Sequence, residues 1–123
     1  MFLYFLFAYN ESVNANTKKF LSVRELNRLV RNVIETNFPS VWIEGEISNF
    51  SCPSSGHWYL TLKDERSQIR CAMFKNANYK TNFQPKDGQL VLINCNPGIY
   101  EARGEFQLVI NTMEEAGFGI LQR

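Results

Sequence analysis

The sequence predicts an all-β barrel of five short strands with one helix added before it. Three observations carry this. From Val41 onward strand-forming residues dominate, and apolar and polar side chains alternate with a period of two. The strand-like runs are short and punctuated by turn chemistry at Pro53–Gly56, Asp64–Ser67, Asp87-Gly88 and Glu101–Gly104. Ahead of them, Val23, Leu26, Leu29, Val30, Val33 and Ile34 recur at helical spacing. A chain of 123 residues accommodates one such domain.

The helix is expected to begin at Ser22, whose hydroxyl can cap the first turn, with Glu25 three residues on to complete a capping box. Leu21 and Leu26 stand at the positions of a hydrophobic staple. Pro39 disfavours helical geometry at its predecessor, so the helix should stop near Phe38. Arg24, Arg28 and Arg31 lie off the apolar stripe, either as solvated surface or as an extra phosphate contact.

The first strand is read at Val41–Asn49. Val41, Ile43 and Ile47 share one side with Gly45, and Trp42, Glu44, Glu46 and Ser48 share the other. A glycine there suits the bend or bulge that curls a small barrel. Phe50–Gly56 is a loop by composition. Residues 56–74 then form a hairpin around the turn Asp64–Ser67. Trp58, Leu60, Leu62, Ile69, Cys71 and Met73 point to a core. His57, Tyr59, Thr61, Lys63, Gln68, Arg70, Ala72 and Phe74 point outward.

Residues 75–86 lack clean alternation and suit a short helix or irregular connection. The fourth strand is expected at Gln89–Asn94, with Val91 and Ile93 inward. Asn96-Pro97-Gly98 should bulge or break it before Ile99 and Tyr100 resume. The fifth strand is expected at Glu105–Thr112, with Phe106, Leu108 and Ile110 inward. Three strands, a connector and two strands describe a five-stranded OB-fold, with an SH3-like barrel or an open sheet as alternatives. Closure also removes exposed sheet edges. The domain is expected over residues 20–115. Residues 1–19 read as a flexible or artefactual extension, and 116–123 as the start of a linker to a further domain.

The apolar stretch Met1–Tyr9 is too short to span a bilayer and lacks the basic flank of a signal peptide. The formal net charge is only +1, but its distribution is uneven. Lys63, Arg66, Arg70, Lys75, Lys80 and Lys86 cluster in one stretch opposed by Asp64 and Glu65, so a local positive patch is expected on a near-neutral chain. Cys52, Cys71 and Cys95 match no zinc spacing and read as ordinary thiols of a reducing, cytoplasmic compartment.

The single histidine, His57, has no histidine partner, and nothing brings Asp64, Glu65 and Asp87 together as magnesium ligands. Phosphate-binding and dinucleotide glycine motifs are missing. No catalytic site and no cofactor are expected in this chain. The outward row of the hairpin suits a ligand with stacked rings and negative charge, such as single-stranded DNA. The expected contacts are His57, Tyr59 and Phe74 for stacking, Lys63, Arg70 and Lys75 for phosphates, and Arg103 from the last hairpin turn to close over the strand. The alternative is a structural barrel whose outward aromatics dock other domains or subunits.

Long collinear segments add a resemblance. FLSVRELNRLVRNVIETNF from Phe20, VWIEGEISNF from Val41, PSSGHWYLTLKDERSQIRCAMFK from Pro53 and YEARGEFQLVINTMEEAGFG from Tyr100 resemble the N-terminal domain of the exodeoxyribonuclease VII large subunit. The resemblance implies an OB-fold that holds single-stranded DNA for a nuclease domain elsewhere in the polypeptide. That enzyme type hydrolyses single-stranded DNA into acid-soluble oligonucleotides, with magnesium possible for the full enzyme and small helical subunits bound to a later region. Where the family often carries a basic strand segment, this chain reads Asn94-Cys95-Asn96-Pro97-Gly98.

Overall fold

The structure, a computed structural model, describes residues 20–117. The expectations for residues 1–19 and for most of the linker at 116–123 lie outside them. The order is helix α1 (Val23–Asn37), β1 (Val41–Ser51), β2 (Trp58–Lys63), β3 (Gln68–Met73), a short helix α2 (Lys75–Asn78), β4 (Leu90–Tyr100) and β5 (Glu105–Glu115). The strands close into a barrel in the order β1-β2-β3-β5-β4. All neighbours are antiparallel except β3 and β5, which run parallel from Arg70↔Gln107 to Ala72↔Val109. This is the expected OB-fold with an N-terminal helix.

The capping box forms as its sequence dictates. Glu25 N–H donates to Ser22 Oγ at 3.0 Å, and Ser22 N–H donates to Glu25 Oε1 at 2.8 Å. The helix ends at Asn37, before Pro39. Only Val33 of the apolar stripe is buried, and Val23, Leu26 and Val30 stay exposed. α1 packs chiefly on β4 rather than plugging the barrel.

Alternation supplies the core: Ile47, Trp58, Leu60, Leu62, Cys71, Met73, Val91, Ile93, Cys95, Leu108, Ile110 and Met113 form one buried cluster. Gly45 has a packing role. A Cβ there would lie 2.6 Å from Leu62 Cγ, so β1 can approach β2 only without a side chain at this point. The β1 irregularity falls later, between Ser48 and Ser51, where Asn49 takes φ 54°.

Four expectations need correction. β1 runs to Ser51, so Phe50 and Ser51 belong to the strand and not to the following loop, with Ser51 paired to Tyr59 and Phe50 packed against the core. β4 is not interrupted at Asn96-Pro97-Gly98 but runs unbroken to Tyr100, with a register shift against β5 at Asn94/Cys95. The β1 ladder stops at Val41↔Cys95. Beyond it one flank of β4 has no strand partner, which is where a strand tolerates proline. β5 extends past Thr112 to Glu115 and buries Met113. Phe106, expected inward, is 53 % exposed. It precedes the first β3–β5 pair, Arg70↔Gln107, and so lies at the open barrel end.

Candidate nucleic-acid interface

The β2–β3 hairpin builds its outer face row by row. Pairing sets Tyr59 beside Ala72, Thr61 beside Arg70 and Lys63 beside Gln68. His57 precedes β2 and Phe74 follows β3, so they meet at the same end of the ladder. Their rings lie edge to face, 5.2 Å apart at 85°. Thr61 and Ala72 are outward yet buried. Their short side chains form a low floor between Tyr59, Lys63 and Arg70.

A buried amide fixes that end of the face. Asn78 donates from Nδ2 to Gly56 O at 2.8 Å and to Met73 O at 3.1 Å. It thus ties α2 both to the loop before β2 and to the end of β3. The turn at Gly56 takes φ +85°, and a Cβ there would meet Lys75 Cδ at 3.1 Å. Lys75 N–H donates to His57 Nδ1 at 3.0 Å. That bond occupies the Nδ1 lone pair, so the neutral ring carries its proton on Nε2. His57, Phe74, Lys75, Asn76 and Tyr79 together line an open pocket of about 580 Å³. Tyr79 is exposed, and Lys80 Nζ lies 5.8 Å from its ring centroid.

The seven expected contacts therefore separate. His57, Phe74 and Lys75 converge in the pocket, and Tyr59 and Arg70 continue the same face. Lys63 lies in the far row, with its Nζ 3.8 Å from Glu46 Oε2 and both side chains half exposed. Such a pair contributes about 0–1 kcal/mol, so the ammonium stays exchangeable with another anion. Among the described residues Arg70 and Lys75 have no ion-pair partner. Arg103 is exposed at the other end of the barrel, in the β4–β5 turn, away from the pocket.

That turn is held by α1. Asn27 Nδ2 donates to Glu101 O at 3.0 Å. Arg31 reaches Glu101 Oε2 and Glu35 Oε2, each at 3.0 Å. Arg24 and Arg28 approach Glu101 Oε1 more loosely, at 4.0 and 3.7 Å. The hydrogen bonds that Arg31 donates to Glu35 and then to Glu101 hold its guanidinium above its ordinary pKa.

Tyr79 and Asn76 were missed as site residues in the sequence. Tyr79 stood in the non-alternating connector, and its basic neighbour Lys80 was the available signal. Trp42 remains exposed on the opposite face, uncovered by α1. Asp64 accepts from Arg66 and Ser67 N–H at 2.8 and 2.9 Å, and these bonds lower its pKa. Asp87 accepts from Phe50 N–H at 2.9 Å. Both carboxylates serve turns, and among the described residues no group of three His, Cys, Asp or Glu is placed to hold a metal.

A closed five-stranded barrel with an aromatic, cationic row on β2 and β3 is the architecture of an oligonucleotide-binding module. Residues 21–114 match the family described as "OB-fold nucleic acid binding domain", and the chain belongs to that family. Within it, the chain is 56% identical over 102 residues to the exodeoxyribonuclease 7 large subunit of Hahella chejuensis, covering 83% of this chain and 23% of that protein. It is 52% identical over 102 residues to the Haemophilus influenzae protein of the same name, with 83% and 23% covered. The chain thus spans about a quarter of the length of the curated relatives it matches. Among solved structures, it superposes on a replication protein A heterotrimer bound to ssDNA with TM-score 0.55 at 9% identity. That match covers 69% of this chain and 64% of the other. The likeness concerns the fold.

Proposed function

We propose that this domain binds single-stranded DNA on the outer face of β2 and β3 and presents it to a nuclease domain of a longer polypeptide. The observation that carries the reading is the joining of His57, Phe74 and Tyr79 with Lys75 in one open pocket beside the unpaired Arg70. Rings on that surface stack bases without regard to sequence, and the neighbouring cations meet phosphates. Tyr59 extends the stacking surface, Lys63 adds a phosphate contact at the far row, and Arg103 contacts a strand that leaves by the β4–β5 end. The similarity to exodeoxyribonuclease 7 large subunits supports a role in positioning DNA for hydrolysis into acid-soluble oligonucleotides. Their designation as a large subunit supports assembly with small subunits through regions outside this chain. Residues 20–115 act as the binding domain, and the residues after it lead toward the nuclease domain. The free, buried thiols of Cys71 and Cys95 suit a cytoplasmic setting.

The test is fluorescence anisotropy of a labelled single strand, at low and high salt, with duplex DNA as control. Salt-sensitive binding that prefers the single strand supports the proposal. Equal binding of duplex, or none at low salt, contradicts it and favours a docking role for the outward aromatics. Cleavage of the single strand by this chain in the presence of magnesium would contradict the assignment of hydrolysis to another domain.

A further inference from the structure

We infer that the single strand continues beyond β3, across β5, into the groove between α1 and the β4–β5 hairpin, where a second base is held. This rests on the reading of the β2–β3 face as a single-strand platform and extends it to a site formed by the added helix. The connection is a matter of register. Arg70 sits beside Gln107 and Ala72 beside Val109. Gln107 in turn sits beside Gly98, and Val109 beside Asn96. The core residues Cys71, Leu108 and Ile110 alternate with these, so all of them lie on one outward surface. Neighbouring strands are about 4.8 Å apart, so the path from β2 to β4 is about 15 Å long, within the reach of a few nucleotides.

At the end of that path lies a groove of about 520 Å³, with Gln107, Val109, Asn96 and Gly98 as floor and Arg31, Glu35 and Phe38 as the α1 wall. Gly98 keeps the floor low: a Cβ on it would lie 3.4 Å from Glu35 Oε2. Phe38 is 54 % exposed at the helix end, although its ring is large and apolar. Asn96 is exposed and joined to Asn94 through Asn111, with Asn111 Nδ2 at 2.7 Å from Asn96 Oδ1 and 3.1 Å from Asn94 Oδ1. A ring for stacking, amides for base edges and a guanidinium beside them suit an unpaired nucleotide.

The charge balance permits this. The two carboxylates of the network, Glu35 and Glu101, are engaged by Arg24, Arg28 and Arg31, which leaves one positive charge in surplus. Arg24 and Arg28, at the longer distances and highly exposed, are the ones able to turn toward a phosphate.

The test compares oligothymidylates of about four and about twelve nucleotides, lengths that bracket the occupancy of one OB-fold, on wild type, Asn96→Asp and Phe38→Ala. Asp at 96 keeps the acceptor for Asn111 while adding a negative charge to the groove. Phe38 is exposed, so its truncation leaves the core intact. The expected result is a loss of about tenfold in affinity for the longer strand, with less than about twofold change for the shorter. Thermal melting checks that both variants remain folded. Equal weakening of both lengths, or an unchanged affinity for the longer one, overturns the groove extension. Wild-type protein that binds the short strand but gains nothing with length overturns the extension alone. Wild-type protein that binds neither length overturns the platform reading with it.

Discussion

The barrel has two outer faces of opposite character, although the same alternation builds both. On β2 and β3, Tyr59, Phe74, His57 and the nearby Tyr79 stand among Lys63, Arg70 and Lys75. On β1 and β4, Trp42, Leu90 and Leu92 stand among Glu44 and, from β5, Glu114; a depression of about 430 Å³ there is lined by Trp42, Ile43, Glu44, Leu92 and Glu114. Trp42 is 55 % exposed, and Tyr79 is 71 % exposed. Exposed rings therefore do not distinguish the faces. The charge beside them does, because a polyanion approaches cations and is repelled by carboxylates. A net charge of +1 conceals that division.

The strongest way to break the contrast is to reverse charge on each face in turn. Arg70→Glu with Lys75→Glu is expected to lower single-strand affinity on the order of 100-fold at low salt. Glu44→Lys with Glu114→Lys is expected to leave it unchanged or raise it. Anisotropy titrations of the two double variants decide the matter, and an equal loss from both would erase the distinction between faces.

Ring removal sharpens it further. Base stacking on a ring contributes about 1–3 kcal/mol, so Phe74→Ala or Tyr79→Ala should each weaken binding about tenfold. Trp42→Ala should change it by less than about twofold. Of the two Phe74 and Tyr79 variants, the Tyr79 change is the cleaner test, because that ring is largely solvent-exposed while Phe74 packs edge-on against His57.

How much of this was legible in the sequence depends on whether a feature is periodic. The hairpin at 56–74 was readable because every second side chain goes the same way, so the pairs of β2 and β3 followed directly. The capping box at Ser22 and Glu25 is a local motif and was equally legible. The convergence of Arg24, Arg28 and Arg31 on Glu101 was not, since it depends on the barrel bringing the last hairpin turn back to the first helix. Asn78 carries no pattern either, and its role comes from two carbonyls at Gly56 and Met73. Pro97 misled because its effect depends on whether a neighbouring strand needs its missing N–H, and beyond Cys95 β1 is no longer there to need it.

A smaller effect tests the phosphate contacts one at a time. Lys75→Ala should reduce the slope of log affinity against log salt by about 0.7, the value for one phosphate on a single strand. Glu114→Ala should leave the slope unaltered.

The effect furthest from DNA binding concerns the core shared by both faces. Burial pushes the Cys71 thiol up to about 12, helped by the neighbouring Cys95, and burial raises Cys95 to about 11. Their ordinary value is 9.0, so the folded state favours the protonated thiols. That stability is complete below about pH 9 and is lost as pH rises toward 11–12. Alkaline melting curves should show the decline, and near neutrality a thiol reagent should label exposed Cys52 while sparing Cys71 and Cys95. Rapid labelling of all three in native protein would contradict the packing.

The central claim is that one face of the barrel, and not the other, receives single-stranded DNA. Amide and indole chemical-shift mapping of the 123-residue chain during titration with an oligothymidylate tests it most directly. Shifts are expected at Tyr59, Arg70, Phe74, Lys75 and Tyr79, with the Trp42 indole and the Glu44 and Leu92 amides unmoved. Shifts centred on Trp42, with the β2–β3 rows silent, would contradict it.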